Sequence, residues 1–264
     1  MKKLILFSII SLMAFSAKSQ NLYIGSYYVT TTDEEALCGD GGDKWSNRLP
    51  VIYEMFRFEE PDVLGLQSLT SSQLTTLSNR MTAYSAAGDI LYSKTLDLDT
   101  CGVVTEADGM PEGSTASWAR LQKEGKSFYV FNVHFSQTIS VAYTSVNCLR
   151  QAIDDINTEG LPCFITGNLG SDETKSPYTR LTQKYDDCYT KAPVRSAEYG
   201  TVNNFDLANN HDSARFDFVF ASRNVTVKAY GQLQYGYFTK ETDGSYKRRL
   251  PSTHYPVMAK VTLD

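Results

Sequence analysis

The chain has 264 residues, with 25 Lys and Arg against 30 Asp and Glu, a formal charge of −5, and 42% hydrophobic residues. That balance argues against a broad phosphate-neutralising surface, which needs a clustered excess of cations, so nucleic acid is not expected as a partner. The apolar content suffices for a sizeable core, and without a linker, repeat or low-complexity tract, residues 20–264 are expected to form one domain.

In chain order, residues 1–19 read as a cleavable signal peptide: Lys2 and Lys3, an uncharged apolar run over 4–15, then Ala17-Lys18-Ser19 before Gln20. The run is too short for a bilayer anchor, and no later stretch is long and apolar enough to span one. A periplasmic or secreted monomer is expected. A strand is predicted over 22–29, followed by loop acids Asp33, Glu34 and Glu35, read as solvated, and a Gly-rich loop over 38–42. Leu49, Ile52, Tyr53 and Phe56 recur at helical spacing in 45–58, and Glu59-Glu60-Pro61 stops that helix. A short apolar strand over 63–67, a helix over 70–79 and strands over 89–93, 101–105 and 117–122 follow.

Residues 126–134 alternate Phe128, Val130, Asn132 and His134 with Tyr129, Phe131 and Val133. With both faces largely apolar, this reads as a central strand covered on both sides. A long helix over 138–158 ends before Gly160 and Pro162, and residues 163–166 form the next buried strand. Gly167 turns the chain sharply there, which leaves Asn168 and Gly170 at a strand end, where α/β proteins gather ligands. Neither is a carboxylate. A helix over 177–183 and strands over 186–189, 215–221, 225–230 and 255–263 complete an α/β fold built on two sheets. Lys247-Arg248-Arg249 and the group His211, Asn209, Asn210 and Asp212 read as solvated polar loops.

Five cysteines, Cys38, Cys101, Cys148, Cys163 and Cys188, show no metal-type spacing. Export permits a disulfide, the odd number leaves at least one thiol unpaired, and Cys163 is the expected buried one. There is no G-x-S-x-G, H-E-x-x-H, C-x-x-C or phosphate-binding Gly-Lys-Ser/Thr sequence.

Seven segments stand in one order: Trp45-x-x-Arg48, Glu60 to Gln67, Phe131-Asn132-Val133-His134-Phe135, Phe164-Ile165-Thr166-Gly167, Tyr199-Gly200-Thr201-Val202-Asn203, Arg215 to Phe220 and Pro251 to Val257. In that order the chain resembles the endonuclease/exonuclease/phosphatase superfamily, over nearly its whole length. The resemblance implies a four-layer α-β-β-α sandwich of two packed mixed sheets, with the site where the loops of the two sheets meet. It also implies phosphate-ester hydrolysis with a divalent metal, usually Mg²⁺, and two histidines. By position, His134 matches the histidine near the leaving group, His254 the histidine that activates or positions water, and Asp217 the carboxylate that orients it. A carboxylate-held imidazole is a sound general base.

The metal-side positions of the family have changed together. Its Asn on the first strand falls at Tyr28, its Glu at Ser68, the Asp and Asn of its Gly-Asp-x-Asn at Asn168 and Gly170, and the Asp before its last His at Thr253. Mg²⁺ wants oxygen ligands that include carboxylates, and Ser68 and Asn168 offer only neutral ones. The resemblance places Thr201, Asn203 and Arg215 in the same cleft. The expectation is a catalytically impaired relative, without a cofactor, that binds a small anionic or sugar-like ligand or a partner through His134, His254 and Arg215. The alternative is a phosphoesterase whose Mg²⁺ is held by rewired ligands.

Overall fold

The computed structural model describes residues 20–196, 199–208 and 214–263. The leader and the His211 group lie outside the described residues. In chain order the elements are β1 (Gln20–Tyr28), α1 (Thr32–Cys38), α2 (Trp45–Glu59), β2 (Val63–Gln67), α3 (Ser71–Arg80), β3 (Tyr84–Ala87), β4 (Ile90–Ser93), β5 (Asp97–Val104), β6 (Thr115–Lys123) and β7 (Lys126–His134). They continue with α4 (Ile139–Ile156), β8 (Cys163–Asn168), α5 (Ser176–Thr182), β9 (Asp186–Asp187), α6 (Cys188–Lys191), β10 (Val194–Ser196), β11 (Asp217–Ala221), β12 (Val225–Gln232), β13 (Tyr237–Lys240), β14 (Tyr246–Arg249) and β15 (Val257–Leu263).

One sheet runs β10-β12-β15-β1-β2-β4-β3 and the other β5-β6-β7-β8-β11-β9. Both are mixed: β1 lies parallel to β2 and antiparallel to β15, and β7 lies parallel to β8 and antiparallel to β6. The alternation in β7 explains its place. Phe128 and Val130 enter the core between the sheets with Leu22, Ile24, Val63 and Phe164, while Tyr129, Phe131 and Val133 face α4 through Ala142, Val146 and Leu149. On the far side, Ile52 and Phe56 of α2 and Leu77 of α3 cover Tyr27, Leu64 and Leu66. The layers are therefore α-β-β-α, as expected.

The sheets are also tied by a buried polar cluster. Gln67 Nε2 donates to Asn132 Oδ1 at 2.6 Å, Thr166 Oγ1 donates to the same oxygen at 3.0 Å, and Asn132 Nδ2 donates to the Leu66 carbonyl at 2.8 Å. Such groups need partners once out of water, so this cluster sets how β2 faces β7 and β8.

Three local expectations are corrected. Residues 32–38 are helical rather than loop, because Thr31 and Glu34 form a reciprocal capping box. The strand expected over 186–189 is two residues long, and Asp187 then caps α6 through the Tyr189 N–H. The basic run at 247–249 belongs to a hairpin: Arg249 is buried among Asp40, Asp43 and Glu241, while Lys247 pairs with Asp40. Cys101, Cys148, Cys163 and Cys188 are free thiols, and burial pushes the Cys163 thiol well up.

Candidate functional site: a cleft at the strand ends

β1, β2, β7 and β8 deliver Tyr28, Ser68, His134 and Asn168 to one end of the sandwich. Asp217 opens β11 directly opposite Asn168 in the ladder, and Asn168 is also the register partner of His134. The resulting cleft, about 690 Å³, is lined by Tyr28, Glu34, His134, Asn168, Gly170 and His254, with Ser171, Asp172, Lys175, Val202, Asn204 and Thr253 among the rest.

Asp217 is fully buried, and its Oδ2 lies 2.6 Å from His254 Nδ1. Its other oxygen accepts from Asn168 Nδ2 at 3.0 Å, and Asn168 Oδ1 accepts the Gly170 N–H at 2.8 Å. The carboxylate thus fixes the His254 tautomer with Nδ1 protonated, and Nε2 makes no hydrogen bond among the described residues. Gly170 has φ +66°, and a Cβ there would meet the Ser136 carbonyl at 2.1 Å, so the close approach of the 170 and 136 loops excludes any side chain.

Tyr28 fills the space between the histidines. Its ring stacks on His254 with centroids 4.1 Å apart and meets His134 edge-on at 5.3 Å. The Tyr28 hydroxyl donates to Glu34, whose other oxygen accepts from Ser68 Oγ at 3.2 Å and from the Thr31 N–H at 2.8 Å. Burial raises the Tyr28 pKa and the hydrogen bond to Glu34 raises it further, so the phenol stays a neutral donor. Burial alone would lift Glu34, but hydrogen bonds from Tyr28, Thr31 and Ser68 outweigh it and hold the carboxyl below its ordinary value. Ser68, at φ +68°, turns the chain just after β2.

Glu34 is a cleft residue that the sequence reads as a solvated acid. The Thr31-x-x-Glu34 capping box was the available signal, since it announces a helix start that turns Glu34 back toward Thr31. Among the expected cleft residues, Thr201, Asn203 and Arg215 do not line it. Thr201 Oγ1 accepts the Phe216 and Asp217 N–H groups from behind, and Asn203 Oδ1 accepts the Phe205 N–H. Arg215 pairs with Asp187 at 2.9 Å and lies over Tyr189, so the anion-binding role expected for it is withdrawn. Thr253 Oγ1 lies 2.8 Å from Thr30 Oγ1.

His134 is held neutral. Burial depresses its pKa and the His254 ring adds to this, while Glu34 and Asp217 oppose it. An unfolded histidine titrates near 6.5, so the stability contributed by neutral His134 is present above about pH 6.5 and lost as pH falls through the lower folded value. Urea midpoints at pH 7.5 and 5.5 are expected to show a drop on acidification that is smaller in His134→Gln. Equal drops in both proteins would contradict the assignment.

Among the described residues, no group of three or more His, Cys, Asp and Glu side chains is placed to hold a metal ion. No helix there is long and apolar enough to cross a membrane.

The same architecture recurs in solved structures. An endonuclease/exonuclease/phosphatase family protein from Bacteroides thetaiotaomicron superposes with a TM-score of 0.85 at 25% identity, covering 94% of this chain and 99% of that one. A mannosyl-6-phosphatase from Bacteroides thetaiotaomicron VPI-5482 does so with 0.82 at 25% identity, covering 91% and 99%. An endonuclease/exonuclease/phosphatase from Bacteroides vulgatus, at 18% identity and TM-score 0.77, covers 93% and 100% and shares the fold. No protein-family model matches the chain, and the comparison with curated proteins gave no match. The chain belongs to the endonuclease/exonuclease/phosphatase superfamily.

Proposed function

We propose that this protein is an exported, catalytically impaired member of its superfamily, whose cleft binds a small anionic or sugar-like ligand without a divalent metal. The observation that carries this reading is Tyr28, wedged between His134 and His254 with its hydroxyl committed to Glu34. The family's ester and water would need that volume. The donor set does not fit Mg²⁺ either: both Glu34 oxygens already accept hydrogen bonds, and the Asn168 amide is spent on Asp217 and Gly170. No catalytic step is therefore derived through a metal.

What remains suits binding. Lys175 and the His254 ring line the cleft, and Ser171 Oγ lies buried there without a hydrogen-bond partner among the described residues. A buried hydroxyl of that kind is satisfied when a ligand oxygen reaches it. Since one structural neighbour is a mannosyl-6-phosphatase, a hexose 6-phosphate is the first probe to use. A second reading, a phosphoesterase with rewired metal ligands, draws on one observation: Glu34 reaches Ser68, the position of the lost family carboxylate.

Calorimetric titration with Mg²⁺, Mn²⁺, Ca²⁺ and mannose 6-phosphate, with phosphoester turnover followed on the same samples, separates them. The binding reading expects no metal heat, no turnover, and sugar-phosphate binding that weakens at least tenfold in Lys175→Ala. Micromolar metal affinity with turnover that vanishes in His254→Ala would replace it by the hydrolase reading.

A further inference from the structure

His134 is shared by two cavities. On one side lies the cleft described above, and on the other a groove of about 670 Å³ opens between the diverging ends of the sheets. Six aliphatic side chains stand in its wall, among polar ones: Leu69 and Leu74 from the β2–α3 side, and Val103, Val104, Met110 and Ala116 from the β5–β6 side. Val103 is 62% exposed, so apolar surface stands open to water in a concavity rather than on a bulge. A concave apolar wall of this sort is where binding surface is found.

Charge separates the two cavities. Each cavity carries two acids, Asp89 and Glu106 in the groove and Glu34 and Asp172 in the cleft, but only the cleft also has a cation, Lys175, 3.8 Å from Asp172, and the imidazole of His254. An anionic head therefore meets a cation only in the cleft, and His134 lines both cavities. The geometry points to a bipartite site: the groove takes an uncharged alkyl or aryl arm of the same small ligand whose polar head occupies the cleft, an inference that rests on the binding reading of the cleft. The same distribution disfavours a nucleic-acid strand, whose phosphates would face Asp89 and Glu106.

Four probes test it by calorimetry: inorganic phosphate, hexyl phosphate, glucose and hexyl β-glucoside. Within either pair, the hexyl compound is expected to bind at least tenfold tighter, because the methylenes leave water for an apolar wall. Val103→Asp, a substitution at an exposed position, should cut that ratio below threefold while leaving glucose affinity unchanged. Ala116→Phe, which fills the groove, should do the same, and Val103→Asp alone suffices if the buried change prevents folding. A ratio near one, a ratio that survives Val103→Asp, or no binding of either hexyl probe overturns the groove. Failure of phosphate and glucose alone, with hexyl probes still binding in a Val103-dependent way, supports the groove and counts against the proposed function of the cleft.

Discussion

Arg48→Ala is expected to destabilise the fold by about 3–5 kcal/mol, the cost of removing one partner from a buried, hydrogen-bonded ion pair. Arg48 has no solvent exposure. Its Nε donates to the Asp43 carbonyl at 2.7 Å, Nη1 to Pro251 O at 3.2 Å, and Nη2 to Thr30 O at 3.0 Å and Glu35 at 2.6 Å. Truncation leaves three backbone carbonyls and a carboxylate with lost donors, and the ring of Trp45 loses the guanidinium 5.3 Å from its centroid. At roughly 2–4 °C per kcal/mol for a chain of this size, a fall of about 10 °C in Tm is the anticipated reading. Arg48→Lys should recover little, since an ammonium cannot serve carbonyls in several directions at once. Because Thr30 follows β1 and Pro251 precedes Thr253 and His254, the same change should loosen Tyr28 against His254 and weaken ligand binding. A loss below 1 kcal/mol would show that the residue is a spectator.

The combined variant Tyr28→Asn, Ser68→Glu, Asn168→Asp is expected to bind Mn²⁺ or Mg²⁺ at least 100-fold tighter than the natural sequence. The first change frees Glu34 and empties the space between the imidazoles, and the other two add negative oxygen donors beside Glu34 and Asp217. One carboxylate about 4 Å from a unit charge is worth roughly 4 kcal/mol at an effective dielectric near 20, before desolvation is subtracted. Two added carboxylates therefore comfortably exceed the roughly 3 kcal/mol that 100-fold requires. Gly170 lies against the Ser136 carbonyl and cannot accept a side chain without moving that loop, so turnover is not expected to return with the metal. Calorimetry on the variant decides it, and unchanged metal affinity would mean that the donors do not converge.

Folded apart by the capping box and drawn back by Ser68, Glu34 marks where reading the chain stops short. The period-two alternation of β7, the helical spacing of α2 and α4 and the order of the strand-end residues are local properties, and they place His134, Asn168 and the two-sheet core. Asp217 beside His254 followed from the family resemblance of those segments. By contrast, the partners of Glu34, Arg215 and Arg249 lie far along the chain, at Ser68, Asp187 and Asp40. Which of several acids meets a given donor depends on how whole elements are set against one another, and formal charge carries no direction. The loop at 201–204 makes the same point by a single residue. Val202 and Asn204 face the cleft while Thr201 and Asn203 turn inward to cap backbone N–H groups, because Val202 pairs with His254 across an isolated bridge. Sequence by itself determined the main strands and helices, their order and the strand ends at which a site could form, but not α1, β3, α6, β10 or the β13–β14 hairpin. The tertiary packing decided that Tyr28 would stand between His134 and His254 with its hydroxyl on Glu34, because those contacts exist only once the ends of β1 and β2 and the start of α1 are brought within hydrogen-bonding distance.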